Sequence, residues 1–348
     1  MARATRLAAI FLGICFSRPV LADKPVPSPS FTKPQVQHAV DRAIGYLRTE
    51  SAAWLNTRKC AACHHAAMPL WALNEADKMG YAIDKKFAAD TLEATLGSRD
   101  KMIASKLVPG PKDPPDPRPL GRGLNMGLVF MSVAGQSSPT LSQGQKQSLT
   151  WITEETLKKQ VKDGSWEFFL SRPPINETQL TDITWIVMAL QGQTGPDAPS
   201  TQREALAKAN AWLSGAKLPQ TYQSKVLKLL LSLRAGKPHI EQQSGIDELL
   251  SLQQPDGGWR QLPELKSDAF ATGQTLYVLS LAGYTAERPE IKRAIAFLIA
   301  TQKPDGSWPM KSRATPDGKP GSAKLLTPIT CAASSWATLG LARLVPKR

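Results

Sequence analysis

Two cysteines and two histidines lie within six consecutive positions, in the stretch RKCAACHHAAMPLW at residues 58–71. The whole chain has only four cysteines and four histidines, so half of each type is gathered in this one place. Thiol and imidazole groups bind metals, take part in redox chemistry and attach prosthetic groups. The cluster therefore indicates a local chemical site built on a single turn of chain.

The two cysteines and the first histidine have the Cys-x-x-Cys-His spacing that is typical of c-type haem attachment. Two thiols one helical turn apart can form thioethers with the two vinyl groups of a haem, and the next imidazole can ligate the iron. The pattern predicts one covalent haem c, with Cys60 and Cys63 as the thioether residues and His64 as the proximal ligand. The resemblance to cytochromes c is confined to this pentapeptide.

A sixth iron ligand has to come from another part of the chain, because His65 and Met68 follow the proximal histidine too closely to reach the opposite face of the haem. Met126, at the start of a later apolar helix, is the candidate, and an open iron site is the alternative. Zinc is another use of the cluster, although four ligands within six residues cannot all face one tetrahedral centre. A redox-active or structural disulfide between the two cysteines also remains open.

The N-terminal segment, residues 1–22, has the organisation of a secretory signal peptide. Arg3 and Arg6 precede a short apolar run, and Val20 and Ala22 provide small residues at a cleavage site. We therefore expect an exported, periplasmic protein, outside the cytoplasm where haem is attached to cysteines. A membrane anchor, or a lipid attached to the cysteine inside this segment, is the alternative.

The chain is basic, with a formal net charge of +14 over 348 residues, of which 42% are hydrophobic and 21% charged. Removal of the predicted signal peptide takes away three arginines and no acid, which lowers the charge from +14 to +11. A basic exported protein suits an acidic redox partner or peripheral contact with an anionic membrane surface. The lysines and arginines are scattered, and nucleic acid is not an expected partner of an exported protein.

A repeated motif runs through the rest of the chain. Residues 160–166, 253–259 and 302–308 read QVKDGSW, QQPDGGW and QKPDGSW, which share a Gln, a Gly and a Trp at fixed spacing. Internal periods of this length indicate stacked supersecondary units. Residues 23–35 are rich in Pro and are predicted to be a linker, and residues 36–345 are predicted to form the folded domain.

Each unit pairs an amphipathic helix with a more apolar one. An apolar helix needs burial on all sides, whereas an amphipathic helix can face water. Six such pairs predict an all-α ring, an (α/α)6 toroid with apolar helices inside and amphipathic helices outside, and an open helical solenoid is the alternative. The predicted units cover residues 36–82, 84–136, 143–194, 201–237, 239–284 and 288–345.

The repeats, above all RAIAFLIATQKPDGSW at residues 293–308, resemble the QW repeats of the squalene/hopene cyclase and prenyltransferase superfamily. The resemblance covers most of the chain after the signal peptide, and it implies the (α/α)6 toroid. It also implies that the repeat glutamines tie helix ends through hydrogen bonds and that the repeat tryptophans pack against neighbouring outer helices.

The chemistry of that superfamily is only partly matched. Its triterpene cyclases protonate an alkene with an acid in an Asp-x-Asp-Asp motif, which this sequence lacks. They also stabilise carbocations with many aromatics, and only 7% of this chain is aromatic. Its protein prenyltransferases hold zinc with Asp, Cys and His, but Cys331 has no Asp two residues before it and no His after it. A shared fold therefore does not establish a shared activity.

Asp182 and Asp268 lie near the starts of two apolar helices and are candidates for the mouth of the cavity, or else for helix caps. Together with the haem motif, the sequence predicts electron transfer or haem-dependent redox chemistry on an apolar small molecule held in the cavity. The alternatives are a divergent terpene cyclase-like or prenyltransferase-like enzyme and a zinc-binding helical scaffold. The sequence does not decide whether the protein is an enzyme.

Overall fold

The structure, a computed structural model, describes residues 31–61, 63–110, 125–167, 172–313 and 328–348, apart from the side chain of Cys63. The predicted signal peptide and most of the predicted linker fall in residues 1–30, outside the described residues. The described part of the chain forms thirteen α-helices and one π-helical turn, and its β-structure is limited to isolated bridges.

In chain order the helices are α1 (Lys33–Arg58), α2 (Met68–Lys78), α3 (Lys85–Leu96), α4 (Arg99–Ala104), α5 (Met126–Gln136), α6 (Gln143–Lys158), α7 (Gln179–Gln191), α8 (Ser200–Gly215), α9 (Tyr222–Arg234), α10 (His239–Ser251), α11 (Ala269–Leu281), α12 (Pro289–Thr301) and α13 (Thr330–Leu344). The π-helical turn spans Cys63–Ala67 and leads directly into α2.

Burial divides these helices into two sets. Residues 180–190 of α7 and residues 269–279 of α11 are buried without interruption, whereas α8 buries only Gln202 and Ala209. The inner set is α2, α5, α7, α9, α11 and α13, and the outer set is α1, α3, α6, α8, α10 and α12. The alternation of amphipathic and apolar helices therefore predicted their positions correctly.

The inner helices form a closed ring. The last of them, α13, packs against α11 on one side and against α2, the first of them, on the other. Gly273 and Gly340 let α11 and α13 approach closely, since a Cβ atom on Gly273 would lie 2.4 Å from the backbone of α13. The Tyr81 hydroxyl donates to the Val345 carbonyl at 2.5 Å and joins the two ends of the ring. The predicted closed toroid is confirmed, and the open solenoid is wrong.

The Gln-x-x-x-Gly-x-Trp loops tie outer helices to each other. The Gln302 amide donates to the Gly306 carbonyl in its own loop at 3.0 Å and to the Ala39 carbonyl of α1 at 2.8 Å. Gln160 and Gln253 make the equivalent bonds to α8 and α12. The three repeat tryptophans donate their indole N–H groups to the last turn of the preceding outer helix. The helix-tying role of the glutamines is confirmed, and the bond from Gln302 to α1 closes the outer ring.

Three pairs of neighbouring outer helices lack this connection, and one of them, α8 and α10, leaves a groove. The loop between α8 and α9 does not contain the motif, and a groove of about 350 Å³ opens between α8 and α10 over α9. Lys225 of α9 pairs with Glu248 of α10 at 2.6 Å at this groove. Because the outer ring leaves α9 partly uncovered here, this inner helix carries charged residues that the other inner helices lack in their middle turns.

The start of α1 differs from the predicted boundary of the linker. Thr32 caps the helix, and the Gln35 side chain accepts a hydrogen bond from the Thr32 backbone N–H at 2.7 Å, which completes a capping box. Residues 33–35 therefore form the first turn of α1, so the predicted linker is wrong in its last three residues; Pro34 is compatible with this position. Among the helices in the described ranges, none combines the length and apolarity needed to cross a bilayer.

Candidate functional site

The residues that the sequence singled out lie at one end of the toroid. Successive inner and outer helices alternate in direction, so the inner helices all begin at the same end, which we name the N-terminal mouth. The π-helical turn leads into α2, Met126 opens α5, Asp182 lies in the first turn of α7 and Asp268 immediately precedes α11. Positions that are far apart in the sequence are thus gathered at one mouth.

Six aromatic side chains meet on the axis of the ring, and we call them the aromatic cluster. They are Trp71 of α2, Phe130 of α5, Trp185 of α7, Phe270 and Tyr277 of α11, and Trp336 of α13. Trp71 lies edge-on to Trp336 with ring centroids 5.2 Å apart, and Phe130 lies edge-on to Trp185 at 5.0 Å. Aromatic faces carry negative potential, so this axis can stabilise positive charge.

Sequence reasoning missed the aromatic cluster. The aromatic content of 7% argued against an aromatic-lined axis. That argument failed because an average content does not say where the rings lie in the fold. The usable signal was their distribution. Each of the six apolar helices carries one or two aromatics, and a closed ring of inner helices brings such positions from five of them together.

Asp182 lies on the face of α7 that points towards the axis, three residues before Trp185. Thr178 caps α7, so the Asp182 carboxyl is not a helix cap. The residue is 8% exposed, and its Oδ1 has no hydrogen-bond partner among the described residues. Burial raises the pKa of Asp182 to about 8, against a smaller lowering by a hydrogen bond with Asn176. The carboxyl therefore keeps its proton at neutral pH.

Asp268 is a helix cap, which is the alternative role that the sequence analysis left open. It is the N-cap of α11, where its carboxylate accepts a hydrogen bond from the Ala271 backbone N–H at 2.9 Å. The Gln261 amide donates to its second oxygen at 2.9 Å. Burial raises the pKa of Asp268 to about 6, and these hydrogen bonds oppose the rise. At neutral pH the two carboxyls at this mouth therefore differ, with Asp182 protonated and Asp268 largely ionised.

Arg313 joins three loops across the N-terminal mouth. Its guanidinium donates to the Gln261 side-chain oxygen at 3.1 Å and to the Glu177 carboxylate at 2.6 Å, while its backbone N–H donates to the Pro173 carbonyl at 3.0 Å. Through Gln261 this network reaches Asp268. The loops that lead into α7, α11 and α13 are therefore held together beside the start of α7, the helix whose first turn contains Asp182.

The turn that carries the predicted haem motif is anchored by Trp54 of α1. The Trp54 indole N–H donates to the Cys60 carbonyl at 2.9 Å, and its ring stacks on His65 with centroids 3.9 Å apart and planes 7° from parallel. The Ser51 hydroxyl donates to the His65 carbonyl at 2.6 Å. These contacts fix the second histidine against α1. Sequence reasoning did not identify Trp54, which precedes the motif by six residues.

His64 lies beside this stacked pair, with its ring centroid 5.9 Å from that of Trp54. Burial lowers the pKa of His64 to about 3, and the nearby His65 and Arg172 contribute in the same direction. Burial also lowers the pKa of His65 to about 4. Both imidazoles are therefore neutral at physiological pH, which is the form that binds metals.

The remaining predicted ligands are only partly described. Cys60 is a half-buried free thiol, and the side chain of Cys63 lies outside the described residues. Met126 is half buried, and its helix α5 contacts the π-helical turn. Among the described side chains, no group of three or more His, Cys, Asp or Glu is arranged to hold a metal ion. The haem and zinc interpretations both stay predictions.

Similarity to known proteins agrees with this architecture. Residues 219–344 match the squalene-hopene cyclase C-terminal domain. A drimenyl diphosphate synthase from Streptantibioticus cattleyicolor is 38% identical over 71 residues, which are 20% of this chain and only 13% of that protein's length.

A solved structure resembles the chain over almost its whole length. It is the type II terpene cyclase MstE from Scytonema, in a variant form bound to its substrate geranylgeranyl dihydroxybenzoate, with a TM-score of 0.56 and 13% identity. The similarity covers 90% of this chain and 98% of that chain. The chain therefore has the helical toroid fold of a type II terpene cyclase, with its squalene-hopene cyclase similarity in residues 219–344.

Proposed function

We propose that this chain is a divergent terpene cyclase-like protein that binds an isoprenoid at the N-terminal mouth and protonates it from Asp182. The observation that carries the proposal is a buried, protonated carboxyl one helical turn from Trp185, at the edge of the aromatic cluster. The similarity of residues 219–344 to squalene-hopene cyclases supports an isoprenoid as the ligand. The proposal assigns to Asp182 the role that the missing Asp-x-Asp-Asp motif has in those enzymes.

The proposed step moves one proton and leaves no net change in charge. Asp182 gives its proton to an alkene carbon, and the π electrons of that alkene form the new C–H bond and leave a carbocation. Loss of a proton from a neighbouring carbon then forms a new alkene and returns a proton to the carboxylate. The raised pKa of Asp182 keeps the proton in place but makes the acid weak, so the cation needs stabilisation by the protein. Each aromatic face near a desolvated cation contributes roughly 0.5–2 kcal/mol.

Product analysis tests this proposal. The full chain would be incubated with farnesol, geranylgeraniol and squalene, and the extracts analysed by gas chromatography and mass spectrometry. We expect an isomerised or cyclised product from the native chain and none from Asp182→Asn. Asp268→Asn is the matched control, because Asn can also cap α11 and should leave the product in place. Equal product from the native chain and Asp182→Asn would show that another group supplies the proton.

A second function rests on a different observation, the neutral, half-buried imidazole of His64 on the turn that follows Cys60. We propose that Cys60 and Cys63 would hold one haem c through thioethers and that His64 would ligate its iron, with Met126 as a candidate second ligand. The described donors fit this group, because Cys60 is a free thiol and the imidazole of His64, four residues later, is neutral at physiological pH. A bound haem would supply one-electron chemistry. An exported location, an acidic redox partner and contact with an anionic membrane surface belong to this proposal.

The haem proposal is tested by an absorption spectrum of the chain produced with a cytochrome c maturation system. We expect a Soret band and haem that stays on the chain in a denaturing gel, and both should be lost in the double variant Cys60→Ala and Cys63→Ala. His65→Gln is the control, because its ring stacks on Trp54 and should not be needed for attachment. A colourless native chain under these conditions would contradict the proposal.

A further inference from the structure

Three fully buried side chains in and beside the aromatic cluster have hydrogen-bonding groups without partners. Gln274 is completely buried, and neither its amide nitrogen nor its amide oxygen has a partner among the described residues. The indole N–H groups of Trp185 and Trp336, both 1% exposed, have none there either. Buried polar groups are almost always paired in folded proteins, so each exception requires an explanation.

These groups lie close together. Gln274 follows Phe270 by one turn of α11 and precedes Tyr277 by nearly one turn, so the three share one face of the helix. Both of these neighbours contact Trp336, with ring centroids 6.4 Å and 6.0 Å away. The centroid of Trp185 is 6.2 Å from that of Trp336. The unpaired groups of α7, α11 and α13 therefore converge on the axis.

The unpaired groups are not a sign of poor packing in these helices. In α11 the Thr275 hydroxyl donates to the Ala271 carbonyl at 2.8 Å, and in α13 the Thr338 hydroxyl donates to the Ser334 carbonyl at 2.7 Å. These residues are completely buried and satisfied within their own helix. In α11 and α13 the unsatisfied groups are those of Gln274 and the Trp336 indole, in and beside the aromatic cluster, where a ligand or an internal water could meet them.

The groups on the axis are mostly donors. Each indole offers one N–H and the Gln274 amide offers two more, against a single acceptor oxygen on that amide. A hydrocarbon would leave all of these groups unpaired and desolvated, whereas an oxygen atom with lone pairs would accept from them. The site therefore selects for an oxygen acceptor attached to an apolar body.

We propose that the ligand of this site is an oxygenated isoprenoid, whose hydroxyl or carbonyl oxygen accepts hydrogen bonds from Gln274 and the two indoles. This inference rests on the proposed function, since it specifies which isoprenoids the same site prefers. It adds a recognition role for Gln274 that is separate from proton transfer by Asp182. A site built to bond an oxygen discriminates strongly against the analogue that lacks it.

The test compares farnesol with farnesene, a matched alcohol and hydrocarbon, by titration of the full chain with tryptophan fluorescence as the signal. We expect the native chain to bind farnesol at least about tenfold more tightly. In Gln274→Leu the preference should fall below about threefold, with farnesene binding unchanged or tighter. Gln202→Leu, at a buried glutamine of the outer helix α8, is the control and should keep the preference.

The outcomes separate the two proposals. If the native chain binds both probes equally, the inference fails while the proposed isoprenoid binding stands, and internal water alone then satisfies these groups. If neither probe binds, the proposed function fails and the inference fails with it. If Gln274→Leu does not fold, Trp336→Phe removes one indole N–H but keeps a ring, and it should also reduce the farnesol preference. A full preference retained in Trp336→Phe and Gln274→Leu would overturn the inference.

Discussion

Two aspartates at the starts of two inner helices differ in role and in protonation state because their surroundings differ. Asp268 caps α11, and hydrogen bonds from its neighbours and the charge of Arg313 oppose the effect of burial and keep it largely ionised at neutral pH. Asp182 has Thr178 as the cap in front of it and faces the axis, so burial dominates and the carboxyl stays protonated. Pairs of acids whose pKa values are driven apart in this way are typical of acid–base sites.

This difference predicts how Asp182→Asn changes stability with pH. The folded-state pKa of about 8 lies above the value of 3.8 expected for an unfolded chain. Below pH 4 the carboxyl is protonated in both the folded and the unfolded chain, so it does not change the stability. As the pH rises towards 8, the carboxyl ionises in the unfolded chain but stays protonated in the folded chain, so the native chain loses stability. We expect the free energy of unfolding of Asp182→Asn to rise by about 2–4 kcal/mol relative to the native chain between pH 5 and pH 8. Urea unfolding at the two pH values measures it.

Asp268→Asn provides the contrast for that measurement. Its folded-state pKa is raised only to about 6, so its ionisation is nearly complete before pH 7. The difference in stability between Asp268→Asn and the native chain should therefore be flat from pH 7 to pH 8. A rise for Asp268→Asn that matches the rise for Asp182→Asn over this interval would mean that Asp268 is protonated at neutral pH as well, which would contradict the difference between the two carboxyls.

At the scale of helices and loops, the sequence was informative wherever the signal was local. The spacing of Gln, Gly and Trp predicted loops that tie outer helices, because the residues that make each loop lie within seven consecutive positions. The role of Asp182 could not be obtained in this way. An Asp near a helix start is usually a cap, and only the position of Thr178 four residues earlier shows that the cap is already provided.

The glycine of each repeat loop leads to a prediction at this scale. Gly257 has a φ of +87°, and a Cβ atom there would lie 2.6 Å from the Arg293 carbonyl of α12. Gly283 has the same φ of +87° but nothing within 4 Å of that position. We expect Gly283→Ala to lose roughly 1–2 kcal/mol from backbone strain alone, and Gly257→Ala to lose about 2 kcal/mol more because the loop must move away from α12. Denaturant unfolding of both variants measures the difference.

The comparison isolates the contact between loop and helix, because the backbone strain is the same in both variants. Equal losses for Gly257→Ala and Gly283→Ala would mean that the loop can shift away from Arg293 at no cost, and that the tie between α10 and α12 does not depend on close approach. A larger loss for Gly283→Ala would contradict the described surroundings of that residue.

At the scale of the whole ring, the aromatic cluster is the feature that local patterns could not predict. Its six rings come from five helices that are spread along almost the entire chain. Each ring looks like an ordinary core residue within its own helix, and only closure of the toroid places it opposite the others. The unpaired Gln274 was unpredictable for the same reason, since a polar residue in an apolar helix has meaning only once its neighbours across the axis are known.

Ring closure itself can be tested with two glutamines that make the same bonds at different places. Gln302 joins α12 to α1 across a separation of 263 residues, whereas Gln253 joins α10 to α12 across 37. Each amide donates twice, and each side-chain oxygen accepts from an arginine of the next outer helix. Because the lost bonds are equivalent, we expect Gln302→Ala and Gln253→Ala to lower the free energy of unfolding by similar amounts, about 2–3 kcal/mol.

The two variants should differ in where the ring opens. Hydrogen exchange measured by mass spectrometry should become faster in α1 and α12 for Gln302→Ala, because the seam between the chain ends lies there, and in α10 and α12 for Gln253→Ala. Exchange in α5 and α7, on the far side of the ring from the seam, should stay unchanged in Gln302→Ala. Uniformly faster exchange in all helices of both variants would instead mean that the toroid opens only as one unit, so that no seam exists as a separate point of weakness.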